Sequence, residues 1–274
     1  MQMGTEAGQR AGVPADCGVV VTGAGRGIGE AIATRMAQGG ARVIVNDLDA
    51  EAAQRVARAI GGEAIAGDAA SAEGVQGLIE AAALRLGRID VYFANAGIES
   101  STGLDSSEQT WASSIEVNLM AHVRAARLLV PGWLESGGGR FVVTASAAGL
   151  LTMPTSAPYA VTKHAAVAFA EWLAMTYGRR GIVVQALCPQ GVNTRMVPAD
   201  GPIRDLLTRD GALEPAEVAD AVWEALAGSE FLILPHPQVR DYYVNRATDT
   251  DRWLAGMQKV DGWVRAELGE GSNG

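Results

Sequence analysis

Residues 18–29 read GVVVTGAGRGIG, and this stretch predicts the fold. A valine-rich run, 18–22, leads into four closely spaced glycines and then into an alanine-rich amphipathic segment, 28–38. A buried strand, a glycine turn and a helix are therefore expected in that order. Such a turn lets backbone N–H groups and the positive end of the helix approach the pyrophosphate of a nucleotide. The alternative is a glycine-rich turn that binds no ligand.

The spacing of the glycines narrows this interpretation. Glu30 stands where the last glycine of the general G-x-G-x-x-G fingerprint would be, so that fingerprint is incomplete. The pattern present is T-G-x-x-x-G-x-G, formed by Thr22, Gly23, Gly27 and Gly29. The candidate nucleotide site therefore rests on this pattern and on the strand and helix that flank it.

Short apolar runs and longer amphipathic segments alternate along the rest of the chain. The runs are too short for buried helices, and the alternation is typical of a parallel sheet with helices on both faces. We expect one doubly wound, Rossmann-type α/β domain with about seven strands. The predicted strands are 18–22, 42–46, 64–66, 91–94, 141–145, 182–187 and 231–234, and the predicted helices are 28–38, 50–60, 72–86, 108–134, 158–177 and 215–227.

Composition excludes several classes of function. The chain has 274 residues, 48% of them hydrophobic, with 22 basic against 31 acidic side chains and a net charge of −9. Such a surface repels phosphates, so nucleic acid and anionic lipid are excluded as primary partners. Cys17 and Cys188 are far apart and the histidines are scattered, so neither a disulfide framework nor a metal site is expected. No apolar run approaches the ~18 residues of a membrane span, and a cytoplasmic location is expected.

Asp47 ends the second predicted strand, 24 positions after Gly23. A carboxylate there can accept hydrogen bonds from the ribose hydroxyls of an adenosine. It would also face the extra phosphate of NADP, and like charges about 4 Å apart near a protein surface repel by up to about 4 kcal/mol. Arg26 favours the opposite choice, because a guanidinium could bind that phosphate. We give Asp47 more weight and expect NAD rather than NADP; the alternative for Asp47 is a turn residue or helix cap.

Tyr159 and Lys163 are four positions apart in a predicted helix and therefore share one face. A tyrosine with a pKa near ~10 is a poor acid or base at neutral pH, whereas a nearby ammonium stabilises the phenolate. Only two of the basic residues are lysines, so a lysine at this position indicates that a compact point charge is required. The alternative is an ordinary pair on a helix surface.

The glycine pattern and the Tyr/Lys pair occur with three other features in one order along the chain: T-G-x-x-x-G-x-G at 22–29, Asn95-Ala96-Gly97, Asn118, Ser146, and Tyr-x-x-x-Lys at 159–163. In this combination the chain resembles the short single-domain branch of the short-chain dehydrogenase/reductase family, from about residue 18 to about residue 234. The resemblance implies an enzyme that transfers a hydride between NAD(H) and a secondary alcohol or ketone. It also implies a homo-oligomer, either a dimer or a tetramer.

The resemblance assigns a role to each catalytic residue. Ser146 would bind the substrate oxygen, and Tyr159 would pass a proton to or from it. Lys163 would lower the pKa of Tyr159 and bind the nicotinamide ribose. Asn118 would hold a water that links Lys163 to solvent. Taken alone, Ser146 and Asn118 could also be a strand-end residue and a helix residue with local hydrogen bonds.

The resemblance also implies the cofactor contacts. Asp68 ends the third strand, where the family contacts adenine. The sequence departs from the family at Ala94, where asparagine is more frequent, and at Pro189-Gln190-Gly191, where Pro-Gly is usual, so the loop conformation there is open. The implied contacts are Gly23, Arg26, Gly27, Ile28, Gly29, Asp47, Asp68, Ala69, Asn95, Ala96, Gly97, Tyr159, Lys163, Pro189, Val192 and Thr194.

The substrate should lie beyond the carboxyl ends of the strands, where residues 98–104, 149–157 and 192–213 meet. These segments predict an apolar pocket suited to a lipophilic secondary alcohol or ketone; the alternative is that their side chains only pack a lid. The predicted lining residues are Leu150, Leu151, Met153, Pro154, Val192, Met196 and Leu206.

Domain boundaries follow from the same pattern. We expect a disordered leader at 1–16, a dinucleotide-binding catalytic domain at 17–268 and a disordered tail at 269–274. Within the domain, the Pro/Gly-punctuated segment 188–214 is expected to be a substrate lid. The C-terminal extension 235–268 is expected to form helices that pack on the domain or on a partner subunit.

Two other functions share parts of this evidence. A dinucleotide-binding sensor or scaffold without turnover would have the same fold, although the intact set of Ser146, Tyr159 and Lys163 argues against it. Nucleotide-sugar epimerases and dehydratases have a longer architecture with a separate substrate domain. This chain lacks the length for such a second domain. The remaining candidates are expected to be packing or surface residues: His122, His164, His236 and the thiol of Cys188.

Overall fold

The computed structural model describes residues 14–100 and 103–269. Within these residues, seven parallel strands form one sheet in the order β3-β2-β1-β4-β5-β6-β7, which confirms the predicted doubly wound, Rossmann-type fold. The strands are β1 (Gly18–Val21), β2 (Arg42–Asp47), β3 (Glu63–Ala66), β4 (Val91–Ala94), β5 (Gly139–Thr144), β6 (Ile182–Leu187) and β7 (Leu232–Ile233).

Helices connect the strands and continue beyond the sheet. Asp49 caps the helix after β2 and Ser71 caps the helix after β3, each with its side chain accepting a backbone N–H of the first turn. The helices are α1 (Gly27–Gln38), α2 (Ala50–Ile60), α3 (Ala72–Leu86), α4 (Glu108–Ile115), α5 (Ala121–Glu135), α6 (Ala148–Leu151), α7 (Ala157–Tyr177), α8 (Pro202–Thr208), α9 (Pro215–Ala225), α10 (Gln238–Thr248) and α11 (Thr250–Glu267).

The sheet is covered on both faces, as the continuous apolar strands require. Every residue of β1 and β4 is buried. Buried side chains of α1, α2 and α9 pack on one face, and those of α3, α5 and α7 pack on the other. The strand order reverses between β1 and β4, so the crevice that binds ligands in such sheets lies at the carboxyl ends of these two strands.

Two segments differ from the predicted elements. The single helix predicted over 108–134 is interrupted by a π-helical turn at Glu116–Met120, between α4 and α5. The predicted lid, 188–214, contains the short helix α8 and a parallel bridge between Val192 and Leu213. Periodicity did not reveal α8, because proline and glycine punctuate the segment on both sides of it.

The ends of the chain are only partly described. Asp16, in the predicted leader, donates its N–H to the carbonyl of Gly40 at 2.8 Å, and its side chain lies 2.9 Å from Arg42. The rest of the predicted leader up to residue 13, and the predicted tail from residue 270, lie outside the described residues. Among the described helices, none combines the length and apolar character that a membrane span needs.

Candidate active site

The glycine turn joins β1 to α1 at the reversal of strand order. Gly23 and Gly27 have φ values of +61° and +58°, which L side chains rarely adopt. A Cβ on Gly29 would lie 2.3 Å from the carbonyl oxygen of Gly23, so glycine is required there by the close approach of the backbone. The side-chain methyl of Thr194 lies 3.4 Å from the position of a Cβ on Gly27. The turn is therefore tightly folded, and Thr194 lies beside it.

Thr22 and Asn95 join the ends of β1 and β4. The hydroxyl of Thr22 donates to the carbonyl of Phe93 at 3.1 Å and accepts the N–H groups of Asn95 and Ala96 at 2.9 and 3.0 Å. The side-chain amide of Asn95 donates to the carbonyl of Thr22 at 2.9 Å, while its buried Oδ1 has no hydrogen-bond partner among residues 14–100 and 103–269. These bonds hold the predicted Asn95-Ala96-Gly97 motif against the glycine turn.

Asp47 lies at the carboxyl end of β2, with its carboxylate turned towards the glycine turn. Its Oδ2 accepts the N–H of Gly25 at 2.8 Å, and its Oδ1 accepts the N–H of Asp49 at 3.0 Å. Asp49, not Asp47, caps α2, so the helix-cap alternative for Asp47 does not hold. The exposed Arg26 lies 3.6 Å from Asp49. Asp47 and Arg26, which have opposite implications for cofactor choice, therefore both lie close to Asp49.

The other predicted cofactor residues follow the carboxyl ends of their strands. Asp68 accepts the N–H groups of Ala70 at 2.8 Å and of Ser71 at 3.1 Å, and although burial acts in the opposite direction, these bonds lower its pKa. Ala69 is buried beside it. Pro189 follows β6, and its carbonyl accepts the N–H of Ala147, next to Ser146.

Tyr159 and Ser146 face each other where the first turn of α7 meets the end of β5. Burial raises the pKa of Tyr159 to about 12, whereas hydrogen bonding by the Ser146 side chain acts to lower it and the charge of Glu99 adds to the increase. The pKa of the phenol is therefore raised overall, chiefly by burial, and its lowering by Lys163 stays a prediction.

Lys163 lies one turn further along α7 and is only 3% exposed. Its Nζ donates to the carbonyl of Thr144 at 2.8 Å and lies 5.5 Å from the centre of the Tyr159 ring. Burial lowers the pKa of Lys163 to about 8. A Cβ on Gly97 would lie 3.4 Å from this Nζ, so Lys163 borders the motif that follows β4.

Asn118 lies in the π-helical turn and is fully buried. Its Oδ1 accepts the N–H of Ile98 at 2.9 Å, and its Nδ2 donates to the carbonyl of Ile98 and to the hydroxyl of Thr162. The side chain therefore ties the strand β4 motif to α7. The water predicted at Asn118 stays a prediction; π turns occur frequently at functional sites because they displace backbone groups from the regular helical pattern.

The segment 189–191, where the sequence departs from the usual Pro-Gly, is held by the C-terminal extension. The buried His236 accepts the N–H of Gln190 through Nδ1 at 3.1 Å, and its Nε2 lies 3.1 Å from the carbonyl of Gly191. The side chain of Gln190 donates to Asp210 at 3.0 Å. The extra residue of this loop thus connects β6 to the segment that follows α8.

A cavity of about 620 Å³ opens beside Ser146. The predicted residues Leu151, Met153, Pro154 and Leu206 line it. Three predicted lining residues are wrong: Leu150 and Val192 are instead buried in the two cores, and Met196 is exposed and does not line this cavity. The described residues of 98–104 do not line it either. The sequence analysis missed the following lining residues: Gln190, Arg209, Asp210, Tyr242, Asn245, Thr248, Asp249, Arg252, Trp253, Met257 and Val260.

Helices α10 and α11 supply most of the missed residues and cover the cavity. Arg246 of α10 donates to the carbonyl of Leu150 and lies 3.3 Å from His164 of α7. The feature of the sequence that could have indicated these covering helices is a small number of large apolar side chains in two otherwise polar segments. These side chains are Tyr242, Trp253, Met257 and Val260. These side chains form a half-buried stripe that faces the cavity.

The fold and this arrangement define a Rossmann-type oxidoreductase domain. A profile described as short chain dehydrogenase matches residues 18–202. The chain belongs to the short chain dehydrogenase family.

Individual relatives extend over most of the chain. A 1-deoxy-11-beta-hydroxypentalenate dehydrogenase of Streptomyces avermitilis is 33% identical over 249 residues, which cover 86% of this chain and 90% of the relative. A cyclohexanol dehydrogenase of an Acinetobacter species is 35% identical over 185 residues, covering 65% and 74%. Among solved structures, a short chain dehydrogenase/reductase from Burkholderia phymatum in complex with NAD has a TM-score of 0.78 and 30% identity, covering 87% of this chain and 96% of its own.

Proposed function

We propose that the protein is an NAD-dependent dehydrogenase that interconverts a secondary alcohol and a ketone. The observation that carries this proposal is the grouping of Ser146, Tyr159 and Lys163 between the glycine turn and the cavity. A proton donor and a hydrogen-bond donor beside a nucleotide turn form the set that reduction of a carbonyl by hydride requires.

The residues at the crevice fit a nicotinamide dinucleotide. The narrow turn around Gly29 lets the backbone approach a pyrophosphate, and the first turn of α1 offers free N–H groups to it. Asp47 presents a carboxylate at the place of an adenosine ribose, and the unpaired Oδ1 of Asn95 is a further buried acceptor. When bound, the nicotinamide would supply or accept the hydride.

Side chains of the protein would carry out the proton transfer. Because the pKa of Tyr159 is raised to about 12, its phenol is protonated at neutral pH and suits the role of general acid in carbonyl reduction. Ser146 would hold the substrate oxygen and stabilise the negative charge that develops on it. Lys163, with a pKa of about 8, is mostly cationic at neutral pH and would orient the ribose and replenish the proton.

The relatives support the proposed reaction class. The names of the Streptomyces and Acinetobacter relatives describe dehydrogenation of a hydroxypentalenate and of cyclohexanol, two compounds that carry a hydroxyl. The cavity of about 620 Å³ and its apolar wall suit a compact lipophilic alcohol or ketone. The test is a screen of secondary alcohols with NAD and of ketones with NADH, followed by nicotinamide absorbance. Dinucleotide binding without turnover of any compound would favour the sensor alternative.

Replacing Asp47 tests the choice of cofactor. Asp47→Asn keeps the size of the side chain and removes its charge, so we expect NADP to bind about tenfold more tightly and NAD less tightly than in the unmodified protein. The measurement is titration of each dinucleotide against the fluorescence of the protein. Asp220→Asn, an exposed carboxylate on α9, is the control and should change neither affinity. Tighter binding of NADP than of NAD by the unmodified protein would contradict the assignment.

We further propose that the chain forms a homo-oligomer through α5 and α7. Leu128, Trp172 and Met175 on these helices are 42%, 54% and 83% exposed, which is costly for large apolar side chains that remain in water. Light scattering coupled to size exclusion should give a mass at least twice that of one chain. Trp172→Glu together with Met175→Glu should reduce that mass to one chain, whereas Leu84→Glu on α3 should leave it unchanged.

A further inference from the structure

The charged residues around the cavity are not equally engaged. Asp210 accepts hydrogen bonds from Gln190 at 3.0 Å and from the Tyr242 hydroxyl at 3.1 Å, and it lies 3.9 Å from Arg209. Asp249 caps α11 by accepting the backbone N–H of Arg252 at 3.0 Å. Both carboxylates of the lining are therefore already satisfied within the protein.

Arg252 is different. Its guanidinium has neither an ion pair nor a hydrogen bond to any of residues 14–100 and 103–269. The residue lies on the first turn of α11, lines the cavity and is exposed, so it stands at the mouth. The chain has a net charge of −9. Arg252 instead places a positive charge, without a partner among the described residues, at the mouth of an apolar cavity.

A negative charge lies near the candidate catalytic groups. Ser146 lines the cavity, and the negative charge of Glu99 acts on the phenol of Tyr159. An anionic group of a ligand would be repelled near Glu99 and attracted near Arg252. The apolar wall formed by Leu151, Met153, Leu206 and Trp253 would accommodate a hydrocarbon skeleton.

We infer that the substrate is a lipophilic hydroxy or oxo acid whose carboxylate, remote from the reacting carbon, is bound by Arg252. The inference rests on the proposed function and specifies the substrate class of the same site. A carboxylate is favoured over a phosphate because one planar guanidinium matches it with two parallel hydrogen bonds, whereas a dianion beside Asp210 and Asp249 would need further cations.

The experiment compares matched acids and esters. The probes are the (ω−1)-oxo acids from 5-oxohexanoate to 9-oxodecanoate and their methyl esters, which share the reacting ketone and differ in charge. Reduction is followed with NADH, and binding of the same compounds is measured by calorimetry, which does not depend on turnover. We expect at least one acid to have a kcat/KM and an affinity about tenfold above those of its ester, with the preference decreasing as salt is added.

Variants assign the preference to Arg252. Arg252→Gln should reduce the acid-to-ester ratio of both kcat/KM and affinity to about one, and Arg252→Glu should reverse the preference. Arg265→Gln, on the same helix outside the cavity, is the control and should leave it unchanged. Equal turnover or equal affinity of acids and esters in the unmodified protein overturns the inference and leaves the proposed function intact. If no probe is turned over but the protein binds acids more tightly than esters and this depends on Arg252, the proposed function alone is contradicted. If binding shows no preference for acids, the inference is contradicted.

Discussion

Tyr159→Phe should bind NAD as the unmodified protein does and should lose about 10²–10⁴-fold in turnover of any accepted alcohol or ketone. The substitution removes only the phenolic oxygen. The ring packs in the first turn of α7 and is 9% exposed, so phenylalanine can keep its place. What is lost is the candidate proton donor, the phenol whose pKa the Ser146 side chain influences. Steady-state kinetics and calorimetric titration with NAD measure the two quantities separately.

Tyr177→Phe is the matched control for this experiment. It removes a phenolic oxygen from the last turn of the same helix, where the ring contacts Trp172 and Arg180 and is remote from the cavity. We expect kinetics equal to those of the unmodified protein. Turnover by Tyr159→Phe that equals that of Tyr177→Phe would contradict the assigned role of the phenol.

The fold could be predicted from sequence because each of its parts has a local cause. Valine-rich runs that are apolar on both faces specify buried parallel strands, and β4 and β6 begin and end where the pattern places them. Capping residues such as Ser71 fix the starts of helices to within a residue. The parallel, doubly wound arrangement followed from the alternation of strands and helices, since right-handed crossovers leave few arrangements.

The positions of the candidate catalytic groups were predictable for a similar reason, whereas their energetics were not. Tyr159 and Lys163 share a face of α7 through helical spacing alone. The pKa of the phenol depends on how completely β5, α6 and the end of β6 bury it, and burial is a property of tertiary packing. The helical spacing of Tyr159 and Lys163 therefore could not predict the increase in the phenol pKa that burial produces.

The cavity is the part that sequence patterns described least well. Val192 and Leu150 were expected to line it because they are apolar and lie beyond strand ends, yet such residues also fill cores. The cover formed by α10 and α11 is polar over most of its surface, so no strong periodicity marks it. Single side chains attach this cover to the domain. Arg246 donates to the carbonyl of Leu150 in α6 and lies beside His164 of α7, and His236 accepts a hydrogen bond from the loop after β6.

Lys163→Met should abolish turnover and at the same time raise the free energy of unfolding at neutral pH. Burial lowers the pKa of this lysine from 10.5 to about 8, so keeping it charged in the folded protein costs on the order of 3 kcal/mol. Methionine has a similar shape and no charge to desolvate. It leaves the carbonyl of Thr144 without its donor, which offsets part of the gain. A net increase of about 1–2 kcal/mol is expected in urea unfolding without added dinucleotide.

The pH dependence of this gain distinguishes desolvation from improved packing. Below about pH 8 the lysine is protonated in both the folded and the unfolded chain, so its cost to folding is fully present. As the pH rises from 8 towards 10.5 the folded protein releases the proton first, and the cost disappears, so the difference between Lys163→Met and the unmodified protein should shrink over this interval. Lys259→Met, which removes the exposed lysine of α11, should show neither the gain nor the dependence. A Lys163→Met protein that is less stable at pH 7, or whose advantage is the same at pH 7 and pH 10, would show that the buried ammonium is not the source of instability.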